Sequence, residues 1–139
     1  MPTEIREIMT RNPIILQASD TVAEAARVMR DKDIGDVIVY KNKQLCGIVT
    51  DRDLTVRALS EGQHPAGVTL ESVCSREITA LSPNDTTDTA VLLMREKALR
   101  RLPVVENGKV VGIVSLGDLA VRLDRKSALA DISAAAANH

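Results

Sequence analysis

Two short stretches hold the side chains best suited to chemistry. In Gly47-Ile48-Val49-Thr50-Asp51-Arg52-Asp53-Leu54 the hydroxyl of Thr50 precedes the carboxylate of Asp53 by three positions, and Gly112-Ile113-Val114-Ser115-Leu116-Gly117-Asp118-Leu119 repeats the arrangement with Ser115 and Asp118. Each apolar run reads as a strand passing into a helix, so hydroxyl and carboxylate both fall at a helix N-terminus. Unpaired N–H groups and the positive end of the helix dipole attract phosphate there, and a carboxylate can accept hydrogen bonds from vicinal sugar hydroxyls. That is the outline of a nucleotide site. The same Ser/Thr-x-x-Asp spacing is also a capping box, in which the two side chains satisfy the helix's own first amides. The readings are compatible, because a capping hydroxyl can also touch a ligand.

Other chemistry has little to stand on. Cys46 and Cys74 have no metal-ligand spacing and no secretory leader precedes them, so they read as packing thiols of a reduced, cytoplasmic protein. His64 lies in a linker and His139 ends the chain, neither with a ligand-like neighbour. No Ser-His or Cys-His pair or Gly-rich phosphate loop is visible, and Asp53 and Asp118 stand too symmetrically to form an acid/base pair, so an enzyme is not expected. With 45% hydrophobic and 27% charged residues among 139, the chain is a globular protein of one domain or two small ones sharing a core. Tyr40 is its one aromatic residue, so the core must be aliphatic and the stacking platform of single-strand nucleic-acid binders is missing. A net charge of -1 gives no general attraction to nucleic acid or anionic membranes. Arg27, Arg30, Arg95, Arg100 and Arg101 could form only a local basic patch.

The elements that must position the two stretches follow in order. Ile5, Ile8 and Met9 suggest a short leading helix over 3–10, and Ile14-Ile15-Leu16 a brief buried strand. Asp20-Thr21 starts a helix, with Thr21-x-x-Glu24 as a capping box and Val22, Ala25, Ala26 and Met29 facing a core. Strands over 37–40 and 45–50 flank the turn Lys41-Asn42-Lys43-Gln44, and a helix over 52–60 turns Leu54, Ala58 and Leu59 inward. Residues 61–67 have linker character. The pattern then restarts at an offset of about 65 residues: Leu70 and Val73 follow Ile5 and Ile8, Asp85-Thr86 follow Asp20-Thr21, and Met94 follows Met29. The second hairpin carries Asn107-Gly108, a strong two-residue turn signal that makes it the sharper of the two.

The boundaries expected are a first repeat with its leading helix at 1–60, a linker at 61–67, a second repeat at 68–123, and an Ala-rich tail at 124–139 that extends a helix or frays. Strands apolar at successive positions imply sheets covered on both faces. The fold class is therefore α+β or α/β: two tandem βαββα repeats packed sheet to sheet with pseudo-two-fold symmetry and two related clefts.

Two such units, each closed by Gly-Ile-Val-Thr/Ser-x-x-Asp and the second carrying Leu102-Pro103-Val104-Val105, resemble a tandem pair of CBS domains, or Bateman module, over nearly all of 5–123. The chain is similar to small stand-alone paired-CBS proteins. The resemblance implies a regulatory, ligand-sensing module that binds adenosine compounds (AMP, ADP, ATP or S-adenosylmethionine) as effectors in clefts between repeats, with no cofactor required. Carried over, Asp53 and Asp118 would hold ribose hydroxyls, and Thr50 and Ser115 would contact phosphate or sugar. The base would lie between Ile48 or Ile113 and the first strand of the opposite repeat, near Ile14 or Thr79. Arg100 and Arg101 match a basic phosphate ligand, since a guanidinium offers phosphate two parallel charge-assisted bonds. A solvated helix end is the alternative for both.

In the first repeat Gly35 and Asp36 stand where the second has Arg100 and Arg101, and Ile38 replaces Pro103. A carboxylate there repels phosphate, so the clefts should differ. The one with Arg100, Arg101, Ser115 and Asp118 should be the better phosphate binder, while the Asp53 cleft takes a less charged adenosine ligand, borrows an arginine from the other repeat or Arg52, or stays empty. The resemblance also implies a homodimer formed through helices and an unidentified protein target. The competing class is a structural or docking protein with vestigial clefts.

Overall fold

The structure, a computed structural model, describes residues 3–74 and 78–123; the expected tail at 124–139 lies outside them. The chain divides into two units, and the division does not follow the repeats. One unit holds 14–74 with Ile78; the other holds 3–13 together with 79–123. The leading segment expected within repeat 1 thus belongs to the unit built from repeat 2, and the segment leading repeat 2 belongs to the unit built from repeat 1.

In the first unit, strand β2 (Ile15–Gln17) runs parallel to β3 (Asp36–Lys41), which pairs antiparallel with β4 (Gln44–Thr50). Helix α1 (Val22–Lys32) starts at Thr21, whose hydroxyl accepts the Glu24 amide at 3.2 Å, and ends on Asp33 in the left-handed region. Val22, Ala25 and Met29 of α1 are buried against Val37, Val39 and Val49. Ala26 is exposed and does not face the core as expected, because it lies at the edge of that apolar stripe. Ile38 is buried as well, so β3 is covered on both faces.

The chain after β4 is irregular. Helix α2 (Asp51–Asp53) widens into a π-turn over Leu54–Ala58 and tightens into a 3-10 turn over Leu59–Glu61. Leu54 and Ala58 point inward, but Leu59 is 53% exposed, a correction to the expected inward face. The wider turn rotates later side chains off the 3.6-residue period. Helix α3 (Leu70–Val73) then buries Leu70 and Val73 in the same core.

The second unit repeats this scheme with exchanged parts. Strands β5 (Arg101–Glu106) and β6 (Lys109–Ser115) form a hairpin, β1 (Thr10–Arg11) pairs antiparallel with β6, and Leu81 bridges Val104 in parallel. Helices α4 (Thr87–Lys97) and α5 (Leu116–Leu123) complete it. The expected leading helix is a single 3-10 turn, Ile5–Glu7, whose Ile5 is buried with Leu81, Ala90, Met94, Leu102 and Leu119. Both hairpins turn through two residues of positive φ, Asn42-Lys43 and Asn107-Gly108, so they are equally sharp.

The leading segments dock through hydrogen bonds that match pair by pair across the sequence offset. Leu70 N donates to Asp20 O and Val22 N to Val68 O, at 2.8 and 2.9 Å; Ile5 N donates to Asp85 O and Thr87 N to Thr3 O, at 2.8 and 3.0 Å. Each set satisfies an amide at the start of α1 or α4 that the helix itself leaves unpaired.

Close docking explains Gly112. A Cβ there would lie 2.8 Å from the carbonyl oxygen of Thr10 and 2.7 Å from Met9 Sδ. Gly112→Ala should therefore lower unfolding free energy by about 1–3 kcal/mol through overpacking against backbone; unchanged stability in chemical denaturation would contradict this packing.

Candidate functional site

The two hydroxyl–carboxylate stretches do form strand-to-helix junctions, β4 into α2 and β6 into α5. Both are capping boxes. Thr50 Oγ1 accepts the Asp53 amide at 3.1 Å and Asp53 Oδ2 accepts the Thr50 amide at 2.9 Å. Ser115 and Asp118 reproduce this at 3.1 and 2.8 Å. The amide that opens each helix is also used: Asp51 N donates to Gly35 O at 3.0 Å, and Leu116 N to Arg100 O at 2.8 Å. The chain therefore spends the hydroxyl, one carboxylate oxygen and three amides of each junction on itself.

What remains differs sharply between the two. In the first unit Asp53 Oδ1 lies 3.6 Å from Arg57 Nε, one helical turn on. The Arg52 amide donates to the Asp51 side chain at 2.8 Å. Strand register places Asp36 directly across from Thr50. Both oxygens of Asp53 are thus engaged, and register sets a second acid across from the Thr50 hydroxyl.

In the second unit Arg122, which corresponds to Arg57, donates instead to Thr3 Oγ1 at 3.2 Å, on the leading segment. Asp118 Oδ1 has no partner among the described residues. Leu116 replaces Asp51, so no side chain covers the Gly117 amide, which has no hydrogen-bond partner among the described residues. Register puts Arg101 directly across from Ser115, and Arg100 is exposed immediately before it. Arg101 is not at a helix end, being the first residue of β5 and half-buried, whereas Arg100 lies three positions beyond the last residue of α4. A carboxylate oxygen able to accept from a diol and an open helix amide thus lie at one junction, with Arg101 directly across from it in strand register. That set suits a phosphorylated sugar, with the guanidiniums and amide on phosphate and the carboxylate on hydroxyls.

The remaining expected residues fall in the same two groups. Ile48 pairs with Ile38, whose amide donates to Ile14 O at 2.9 Å, so Ile14 and Ile48 flank one strand beside Thr50. Ile113 pairs with Pro103 and with Thr10 and is buried, and Thr79 precedes Leu81, which bonds to β5 in the same unit. Arg57 and Arg122 were not singled out from the sequence, although the four-residue spacing of Asp53 and Arg57 on one helix was a readable signal. An apolar cavity of about 350 Å³, lined by Val91 and Met94 of α4, Leu99 just after it, and Leu116 and Leu119 of α5, contains none of the expected site residues. Among the described residues no cluster of three metal-ligating side chains occurs, and no helix is long and apolar enough to cross a membrane.

Comparison with known proteins agrees with this geometry. A family profile described as the CBS domain matches residues 5–59 and again 70–125. The chain is 34% identical over 119 residues to the CBS domain-containing protein YhcV of Bacillus subtilis, covering 86% of this chain and 84% of that one. It is 31% identical to Hypoxic response protein 1 of Mycobacterium tuberculosis, covering 87% and 85%. Among solved structures, the CBS domain pair of protein MJ0100, in complex with 5-methylthioadenosine and S-adenosyl-L-methionine, aligns with a TM-score of 0.81 at 23% identity over 91% of this chain and all of that one. A twice-matched profile, two matching junctions and whole-length relatives lead to one statement: the chain belongs to the CBS-domain family, as a tandem pair of the regulatory type.

Proposed function

We propose that this chain is an adenosine-ligand sensor, and that its principal site is the β6–α5 junction. The observation that carries the reading is that Asp118 keeps one oxygen without a partner among the described residues while Arg101 stands directly across the strand from Ser115. AMP, ADP and ATP suit that set better than S-adenosylmethionine, because the two arginines have an anion to meet. Ile113 and, from the same unit rather than from the opposite repeat as first expected, Thr79 would contact the base. At the β4–α2 junction Thr50 and Asp53, with Ile48 and Ile14, would take a less anionic adenosine compound weakly, because Asp36 opposes phosphate and Arg57 holds the carboxylate. The ligand acts by binding one conformation of the chain better than another, and a protein target reads the difference. The protein would do this in the cytoplasm, without catalysing a reaction.

Isothermal titration of nucleotide-free protein tests the reading. AMP or ATP should bind saturably, and Asp118→Ala should weaken binding at least about tenfold while lowering stability by only about 0.5–2 kcal/mol, the loss of a cap. Equal affinity in the variant would leave Asp118 a cap alone and favour the scaffold reading, which the fully engaged Asp53 junction supports in its own unit.

The arrangement around Asp53 generates a second expectation. An exposed ion pair contributes at most about 1 kcal/mol, so Arg57→Ala should leave the fold nearly unchanged. It frees Asp53 Oδ1, and should raise affinity for uncharged adenosine at that junction; no gain would show that Arg57 does not occlude it.

Homodimerisation is proposed through α4 and α5, where Leu116 is 54% exposed beside the apolar cavity. Leu116→Glu should shift the mass measured by light scattering from dimer to monomer, and an unchanged dimer would place the interface elsewhere.

A further inference from the structure

Cys46 and Cys74, expected as independent packing residues, lie side by side within the first unit. Their Sγ atoms are 3.7 Å apart although 28 positions separate them in the chain. Cys46 is half-buried in β4, and Cys74, 4% exposed, directly follows α3, where its Sγ is 3.8 Å from Glu71 O. Neither is in a disulfide. The separation is ordinary van der Waals contact between unlinked sulfurs, and side-chain rotation plus a small backbone adjustment would bring them to bonding distance, about 2.05 Å.

We propose that Cys46 and Cys74 are a redox dithiol that closes to an intramolecular disulfide with a small-molecule disulfide as oxidant. The exposure difference sets the order. The Cys46 thiolate attacks one sulfur of the oxidant, forming a mixed disulfide and expelling one thiolate. Cys74, once deprotonated, attacks Cys46 Sγ, forms the Cys46–Cys74 bond and expels the second thiolate. The two protons lost by the cysteines end on the two small thiols, and the two electrons reduce the oxidant's S–S bond. A thiol pair in a reducing compartment is suited to this transient chemistry rather than to a permanent crosslink.

The consequence is local and mechanical. Closure ties the end of α3, the exchanged leading segment, to the strand that ends four positions later at Thr50. The redox state of the pair thereby fixes how firmly that segment is held on its core. This inference does not depend on any ligand binding at the junctions.

The test uses reduced full-length protein incubated with oxidised glutathione under native conditions, then alkylated and examined by intact mass spectrometry and peptide mapping. The expected product is a single chain that has lost two hydrogen atoms, with both cysteines protected, one Cys46–Cys74 crosslinked peptide, and full reversal by dithiothreitol. Its melting midpoint should rise by about 5–15 °C from the added crosslink. In Cys74→Ser the glutathione adduct should be trapped on Cys46. Should that variant fail to fold, Cys46→Ser carries the same test, with Cys74 expected to stay unmodified. A stable glutathione adduct on the wild-type chain, disulfides between chains, or two unreacted thiols would each overturn the proposal.

Discussion

A strand that runs directly into a helix must find acceptors for the first amides of that helix, and this requirement shapes the whole molecule. At each junction the chain meets it with one side-chain hydroxyl, one carboxylate oxygen and one backbone carbonyl from the loop before the partner strand. The helices α1 and α4 face the same requirement, and there the acceptors come from the leading segment of the other repeat. Those segments bring Ile5 and Leu70 into cores that their own repeats do not build. A chain cut at 61–67 would deprive each unit of part of its core.

Capping and ligand binding draw on the same atoms, so what the cap leaves unused decides what a junction can recognise. The charge around the two junctions has opposite sense. Asp36 stands opposite Thr50 and Arg101 opposite Ser115; Asp51 covers an amide that Leu116 leaves open; Arg57 holds Asp53, whereas its counterpart Arg122 is drawn away to Thr3. A single backbone design, duplicated, thus carries one junction suited to an anion and one that opposes it.

Much of this was legible in the sequence because it is written in local spacing. The duplicated Thr/Ser-x-x-Asp, the Asp-Thr helix starts and the apolar strand runs are short-range signals, and the constant offset aligned Asp36 with Arg101 before any register was known. The exchange of leading segments was not legible. Ile5 and Ile8 specify that a segment has an apolar face, but nothing in their spacing says which of two similar aliphatic cores that face enters. Leu59 was misassigned because a π-turn changes the angular period after Leu54, and the first hairpin was read as less sharp than the second because a lysine can occupy the left-handed turn position for which Gly108 is the usual residue. The contact of Cys46 with Cys74 depends on the docking of α3 and follows from no motif.

On the proposed function, the β6–α5 junction, with its spare carboxylate oxygen, open amide and cross-strand arginine, recognises a phosphorylated adenosine. Amide-resolved NMR of isotope-labelled, nucleotide-free protein titrated with AMP tests it most directly. Saturable shifts are expected, centred on the amides of Ser115, Gly117 and Asp118 and of Arg101, with Thr50 and Asp53 responding weakly. Shifts confined to residues away from both junctions, or none at millimolar AMP, would contradict it.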